Sequence, residues 1–100
     1  MKLSQAASLV RSKNAGPFQL TFDILFEEVD TFLAAVEADV LTPAFFARTY
    51  HCPASSVHVY ICPNARAIKA TIPRPKAQGT FGDADLHGGQ QYAPLLDLEI

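Results

Sequence analysis

Three groups of side chains in this 100-residue chain have types and spacing suited to chemistry. The first is Arg11-Ser12-Lys13-Asn14-Ala15-Gly16-Pro17, which gathers two cations, a hydroxyl, an amide and a glycine within one turn region. Arginine grips a carboxylate or phosphate through two parallel hydrogen bonds, and glycine lets backbone N–H groups approach, so the cluster suits an anion. The same residues also describe an ordinary helix end, because cations favour the C-terminal dipole and Asn or Gly caps it.

The second group is Gly82-Asp83-Ala84-Asp85-Leu86-His87-Gly88-Gly89, with two carboxylates and an imidazole at alternate positions. Such donors suit hard divalent ions or zinc only when further ligands arrive from elsewhere, and the EF-hand register is absent. Asp-Gly loops are ordinarily turns, so no metal is assigned. The third group, Asp23, His58, Tyr60 and Lys69, falls on one face of alternating segments and could supply acid, base and anion-stabilising roles. Leu25, Tyr60 and Cys62 on that same face equally suit a subunit interface. Asp83, Asp85 and His58 are the catalytic candidates, although no nucleophile–base–orienter spacing is visible. G-x-S-x-G, P-loop, G-x-G-x-x-G and H-E-x-x-H motifs are all missing, so the sequence specifies neither a self-contained hydrolase nor a cofactor.

The elements that must position these residues follow from periodicity. Leu3, Ala6, Ala7 and Val10 make one helical stripe, which predicts a first helix ending near Arg11 to Asn14, with Gly16-Pro17 as its stop. Phe18, Leu20, Phe22, Ile24 and Phe26 alternate with Gln19, Thr21, Asp23, Leu25 and Glu27 and predict the clearest strand. Val29, Phe32, Leu33 and Val36 restore helical spacing over 28–38, behind two glutamates suited to a helix N-terminus. Thr42-Pro43 reads as an N-cap and first helical residue, giving a third helix over 43–51. Val57, Val59 and Ile61, then Ile68, Ala70 and Ile72, flank Pro63-Asn64-Ala65 as a β-hairpin. Leu96, Leu98 and Ile100 alternate as a last strand.

These elements predict an α+β fold, a single two-layer domain over residues 1–100. Its expected core is a mixed four-stranded sheet with about three short helices mainly on one face. A long Gly/Pro-rich loop at 73–94 precedes a C-terminal edge strand, and a stretch of that length is usually functional, ordered by a partner or ligand, or disordered. Phe22, Ile24, Val59, Ile61 and Ile68 are expected to face the helices, leaving Thr21, Asp23, Leu25, His58, Tyr60, Lys69 and Thr71 on the other side.

Composition bounds the partners. The chain is 49% apolar and only 18% charged, with seven Phe and three Tyr, so it folds. A domain this small leaves apolar patches uncovered, which makes a homo-oligomer or another partner an expectation. A net charge of −2 and no basic stripe argue against nucleic acid and against electrostatic membrane docking. The N-terminal residues are neither a signal peptide nor a membrane span, and Cys52 and Cys62 are too few for a disulfide scaffold, so the cytoplasm and reduced thiols are expected.

Five ordered motifs carry a family resemblance: Arg11 to Phe18, Leu20 to Phe26, Ala67 to Pro75, Gly82 to Asp85 and Gln90 to Asp97. On these the chain resembles, over almost its whole length, the domain of unknown function family numbered 4387. That family is associated with larger proteins of the AtuA type, named for acyclic terpene utilisation, as a neighbouring small protein or a fused C-terminal segment. The resemblance implies a small accessory subunit or domain of an AtuA-like protein, and a context of organic acid or acyl-thioester catabolism. It also implies an anionic small-molecule ligand for Arg11, Ser12, Lys13, Asn14, Gly16, Lys69, Arg74, Gln90 and Gln91, with Asp23, Asp83 and Asp85 among the motif positions. The chain departs from the family pattern at Tyr92, where His is common, and at His87, where Tyr is common. Two alternatives stand beside this one: a self-contained homo-oligomeric hydro-lyase or isomerase acting on carboxylates, and a binding module for a small metabolite.

Overall fold

A computed structural model of the chain describes residues 1–74 and 92–100. Its sheet has four strands: β1 (Leu9–Asn14), β2 (Gln19–Leu25), β3 (His58–Cys62) and β4 (Ala67–Pro73), in the spatial order β1-β2-β4-β3. Three helices, α1 (Leu3–Ala6), α2 (Val29–Ala38) and α3 (Pro43–Tyr50), complete the α+β domain that the periodicity predicts.

Every neighbouring pair in the sheet is antiparallel, so the expected mixed sheet is corrected to a purely antiparallel one. Short connections account for the two outer pairs: β1 turns into β2 across residues 15–18, and β3 into β4 through a single 3-10 turn at Pro63–Ala65, while α2 and α3 carry the chain from β2 to β3 so that β4 fits antiparallel between them. Such links reverse the chain, whereas a parallel pair needs a long crossover.

The fourth strand is not the expected one. The helix expected to run from Leu3 towards Asn14 stops at Ala6, and Ala7 is already extended (φ −82°, ψ 144°). Residues 9–14 instead pair along the length of β2, from Leu9↔Leu25 to Asn14↔Leu20. A one-turn helix is marginal by itself, and β2 gains a complete ladder of backbone bonds from this neighbour. The expected C-terminal edge strand is likewise corrected: Ala93–Leu95 is a 3-10 turn, and only an isolated bridge, Lys2↔Glu99, follows. Pro94 removes a ladder donor, and the tail bonds to the N-terminal segment through Leu3 N–H to Leu98 O and Ile100 N–H to Met1 O.

The helices cover one face. Phe22 meets Phe46 at 5.3 Å and Tyr50 at 5.0 Å between ring centroids, and Phe26 meets Phe32 at 5.9 Å. Leu20, Ile24, Ile68, Ala70 and Ile72 complete this buried layer with Leu3 and Leu95. Helix α3 starts as predicted, with Thr42 Oγ1 accepting from Phe45 N–H at 3.1 Å and Pro43 at the first helical position. Ile61 has the parity of this layer yet is 49% exposed, because β3 is an edge strand.

Candidate functional site

The sheet face away from the helices carries the chemistry. The ladders align Arg11↔Asp23, Asp23↔Lys69 and Tyr60↔Lys69, so one row crosses all four strands as Arg11–Asp23–Lys69–Tyr60. The next row reads Lys13–Thr21–Thr71–His58.

Asp23 organises the first row. It is only 2% exposed, although it sits in mid-strand on the face without helices. A buried carboxylate needs charged donors, and it has them: Arg11 Nε donates to Oδ2 at 2.9 Å, and Lys69 Nζ lies 4.0 Å from Oδ1. Both cations keep about half of their side-chain surface in solvent, 52% for Arg11 and 49% for Lys69. With Lys13 in the adjacent row, the patch presents three cations against one carboxylate, in a chain of net charge −2. The balancing acids lie elsewhere: Glu27, Glu28, Asp30, Glu37 and Asp39 surround α2, where the segment 27–39 holds no Lys or Arg.

The first chemical cluster of the sequence is therefore divided. Strand geometry sends alternate side chains to opposite faces, so Arg11 and Lys13 join the open face while Ser12 and Asn14 turn to the helix side. Ser12 is buried there, and Asn14 Oδ1 accepts from the Arg74 guanidinium, while Arg74 N–H donates to Phe18 O at 2.7 Å. Arg74 is thus buried at the end of β4, where it ties β4 to β1 across β2, and does not join the cationic row. Gly16 lies in the β1–β2 turn at φ +98°, a conformation that glycine adopts without strain, and a Cβ there would meet nothing within 4 Å.

His58 shares the open face but stands on β3, two strands from Asp23. Two strand spacings amount to about 10 Å between backbones, too far to build a direct acid–base pair with Asp23. Asp83, Asp85, Gln90 and Gln91 lie outside the described residues. Among the described residues, no three of His, Cys, Asp and Glu gather as a metal site, and no helix is long and apolar enough to cross a membrane. Burial pushes the Cys52 thiol and the Tyr50 hydroxyl up from their ordinary values, which keeps both protonated at neutral pH. Neither side chain supplies an ionised nucleophile there.

The pairing of Arg11 with Asp23 escapes a helical reading of residues 3–11. A signal for it was present: an aspartate inside the most regular strand demands a cation from a neighbouring strand, and Arg11 and Lys13 alternate with the inward-facing Val10 and Ser12.

The family profile described as Domain of unknown function (DUF4387) matches residues 3–99. Neither the curated proteins nor the solved structures contain a match to the chain.

Proposed function

The chain belongs to the DUF4387 family, and from that premise we propose that it is a small accessory subunit or domain of a larger AtuA-like protein, contributing cations to a shared site for an organic acid or acyl-thioester. The observation that carries this reading is the Arg11–Asp23–Lys69 row. Asp23 holds two half-exposed cations at a fixed spacing on a rigid sheet, and Lys13 extends the positive field to the adjacent row. A preorganised cationic surface recognises a carboxylate or phosphate at low entropic cost, whereas solvated lysines on loops must first be ordered. The field also steers an anion towards the sheet face and away from the acidic surroundings of α2.

The test combines light scattering with ligand binding. Mixed with an AtuA-like protein encoded beside it, the chain is expected to form a stable complex, and Lys13→Ala and Lys69→Ala are expected to weaken the response of that complex to organic acids and acyl-thioesters. Absence of a complex at micromolar concentrations would refute the accessory role. Turnover of carboxylates by the isolated chain would favour a self-contained hydro-lyase or isomerase. Arg11→Ala is a poorer probe, since it strips Asp23 of its 2.9 Å donor and perturbs the fold as well as the surface.

A further inference from the structure

The two edges of the sheet differ in a way that identifies a partner for one of them. Phe26 N–H donates to Arg66 O at 2.9 Å and Arg74 N–H to Phe18 O at 2.7 Å, one contact at each end of the β2–β4 ladder. In an antiparallel pair, directly opposed residues exchange backbone bonds at every second position, so these contacts set the phase of the whole sheet. Ile68, Ala70 and Ile72 bond towards β2, which leaves Ala67, Lys69 and Thr71 to bond Cys62, Tyr60 and His58. The backbone groups of Val59 and Ile61 therefore point outward from β3, and no described strand lies beyond them.

Among the described residues, this edge carries none of the charges or prolines that usually protect one. His58-Val59-Tyr60-Ile61-Cys62 contains no Lys, Arg, Asp, Glu or Pro, and Tyr60 and Ile61 are 54% and 49% exposed. Free hydrogen-bonding groups beside exposed apolar side chains form a template for another strand. The opposite edge, β1, carries Arg11 and Lys13.

We propose that β3 pairs antiparallel with β3 of a second copy of this chain, about a two-fold axis through Tyr60. In that register Val59 faces Ile61 of the second copy, and each such pair exchanges both of its backbone hydrogen bonds. Tyr60 then faces Tyr60 at a non-hydrogen-bonded position, where opposed side chains lie closest and aromatic pairs are favourable. No like charges meet along the seam. The same operation on β1, whose outward residues are Val10, Ser12 and Asn14, would set Arg11 against Lys13 of the second copy, which repels. Pairing β3 with β1 would leave a β3 edge at one end and a β1 edge at the other and propagate without closure, whereas β3 with β3 leaves only the charged β1 edges and closes. The dimer makes one continuous sheet, with a cationic row on either side of the Tyr60 pair. The proposal is independent of the AtuA-like assignment.

Light scattering on the full chain is expected to give twice the 10.9 kDa chain mass at high concentration, and Ile61→Lys is expected to give a monomer with an unchanged circular dichroism spectrum. In a Cys52→Ser, Cys62→Ser background, Tyr60→Cys is expected to form a disulfide-linked dimer on mild oxidation, and Lys13→Cys is not. A wild-type monomer at all concentrations overturns the proposal, as does a dimer that survives Ile61→Lys or fails to cross-link through Tyr60→Cys. If the chain alone is monomeric and Ile61→Lys abolishes a complex with an AtuA-like protein, the edge belongs to that protein and self-pairing is wrong.

Discussion

The two faces of the sheet contain the same strands and obey opposite rules. On the helix side, Phe22, Ile24, Ile68, Ala70 and Ile72 are buried by other apolar groups, and the face is held by area and shape. On the open side, Asp23 is as buried as its apolar neighbours, and its burial depends on the stems and charges of Arg11 and Lys69. Burial on the first face follows from apolar residue type and strand alternation. Burial on the second requires a particular partner at a particular register, since a charge without its counter-ion is costly there.

That difference can be broken experimentally. Phe22→Ala should lose about 3–5 kcal/mol, seen as a lowered urea midpoint, because it removes a ring that touches both Phe46 and Tyr50 and leaves a cavity. Asp23→Asn should lose about 1–3 kcal/mol, since it keeps the shape and discards the charge-assisted bond. Combined with Arg11→Ala it should cost less than the sum of the two single changes, because both remove one interaction, and a double-mutant cycle measures the coupling. Thr42→Ala should cost about 1 kcal/mol in thermal unfolding by uncapping α3, the helix that carries Phe46 over the sheet. Lys13→Ala should change stability by less than about 0.5 kcal/mol while reducing anion binding, which separates the face's binding role from its structural one. Were Lys13→Ala as destabilising as Asp23→Asn, the open face would be a network held by all of its charges.

Much of this fold was legible in the chain. Strand β2, helices α2 and α3, the Thr42 cap and the β3–β4 hairpin lie where periodicity and capping place them, because each is specified by neighbours within a few residues. Residues 3–14 were not legible as they fold. Leu3, Ala6, Ala7 and Val10 satisfy a helical stripe, while Val10, Ser12 and Asn14 satisfy an inward strand face, and both patterns coexist in the same letters. The choice fell to β2, whose pairing with β1 satisfies backbone groups and a buried carboxylate together. The C-terminal alternation was misleading for a related reason: Leu96, Leu98 and Ile100 form backbone bonds with the N-terminal segment, and among the described residues the sheet ends at β1 and β3.

The candidate site shows the same division. The sequence determined which residues are cationic, that Asp23 lies in a strand, and that the helices cover Phe22 and its parity, because these follow from residue type and local period. It could not determine that Arg11 and Lys69 converge on one carboxylate, that Ser12 and Asn14 turn away from Arg11 and Lys13, or that β3 is an edge without charge. Those facts depend on strand order and register, and a shift of one residue in either ladder would send the shifted strand's side chains to the other face.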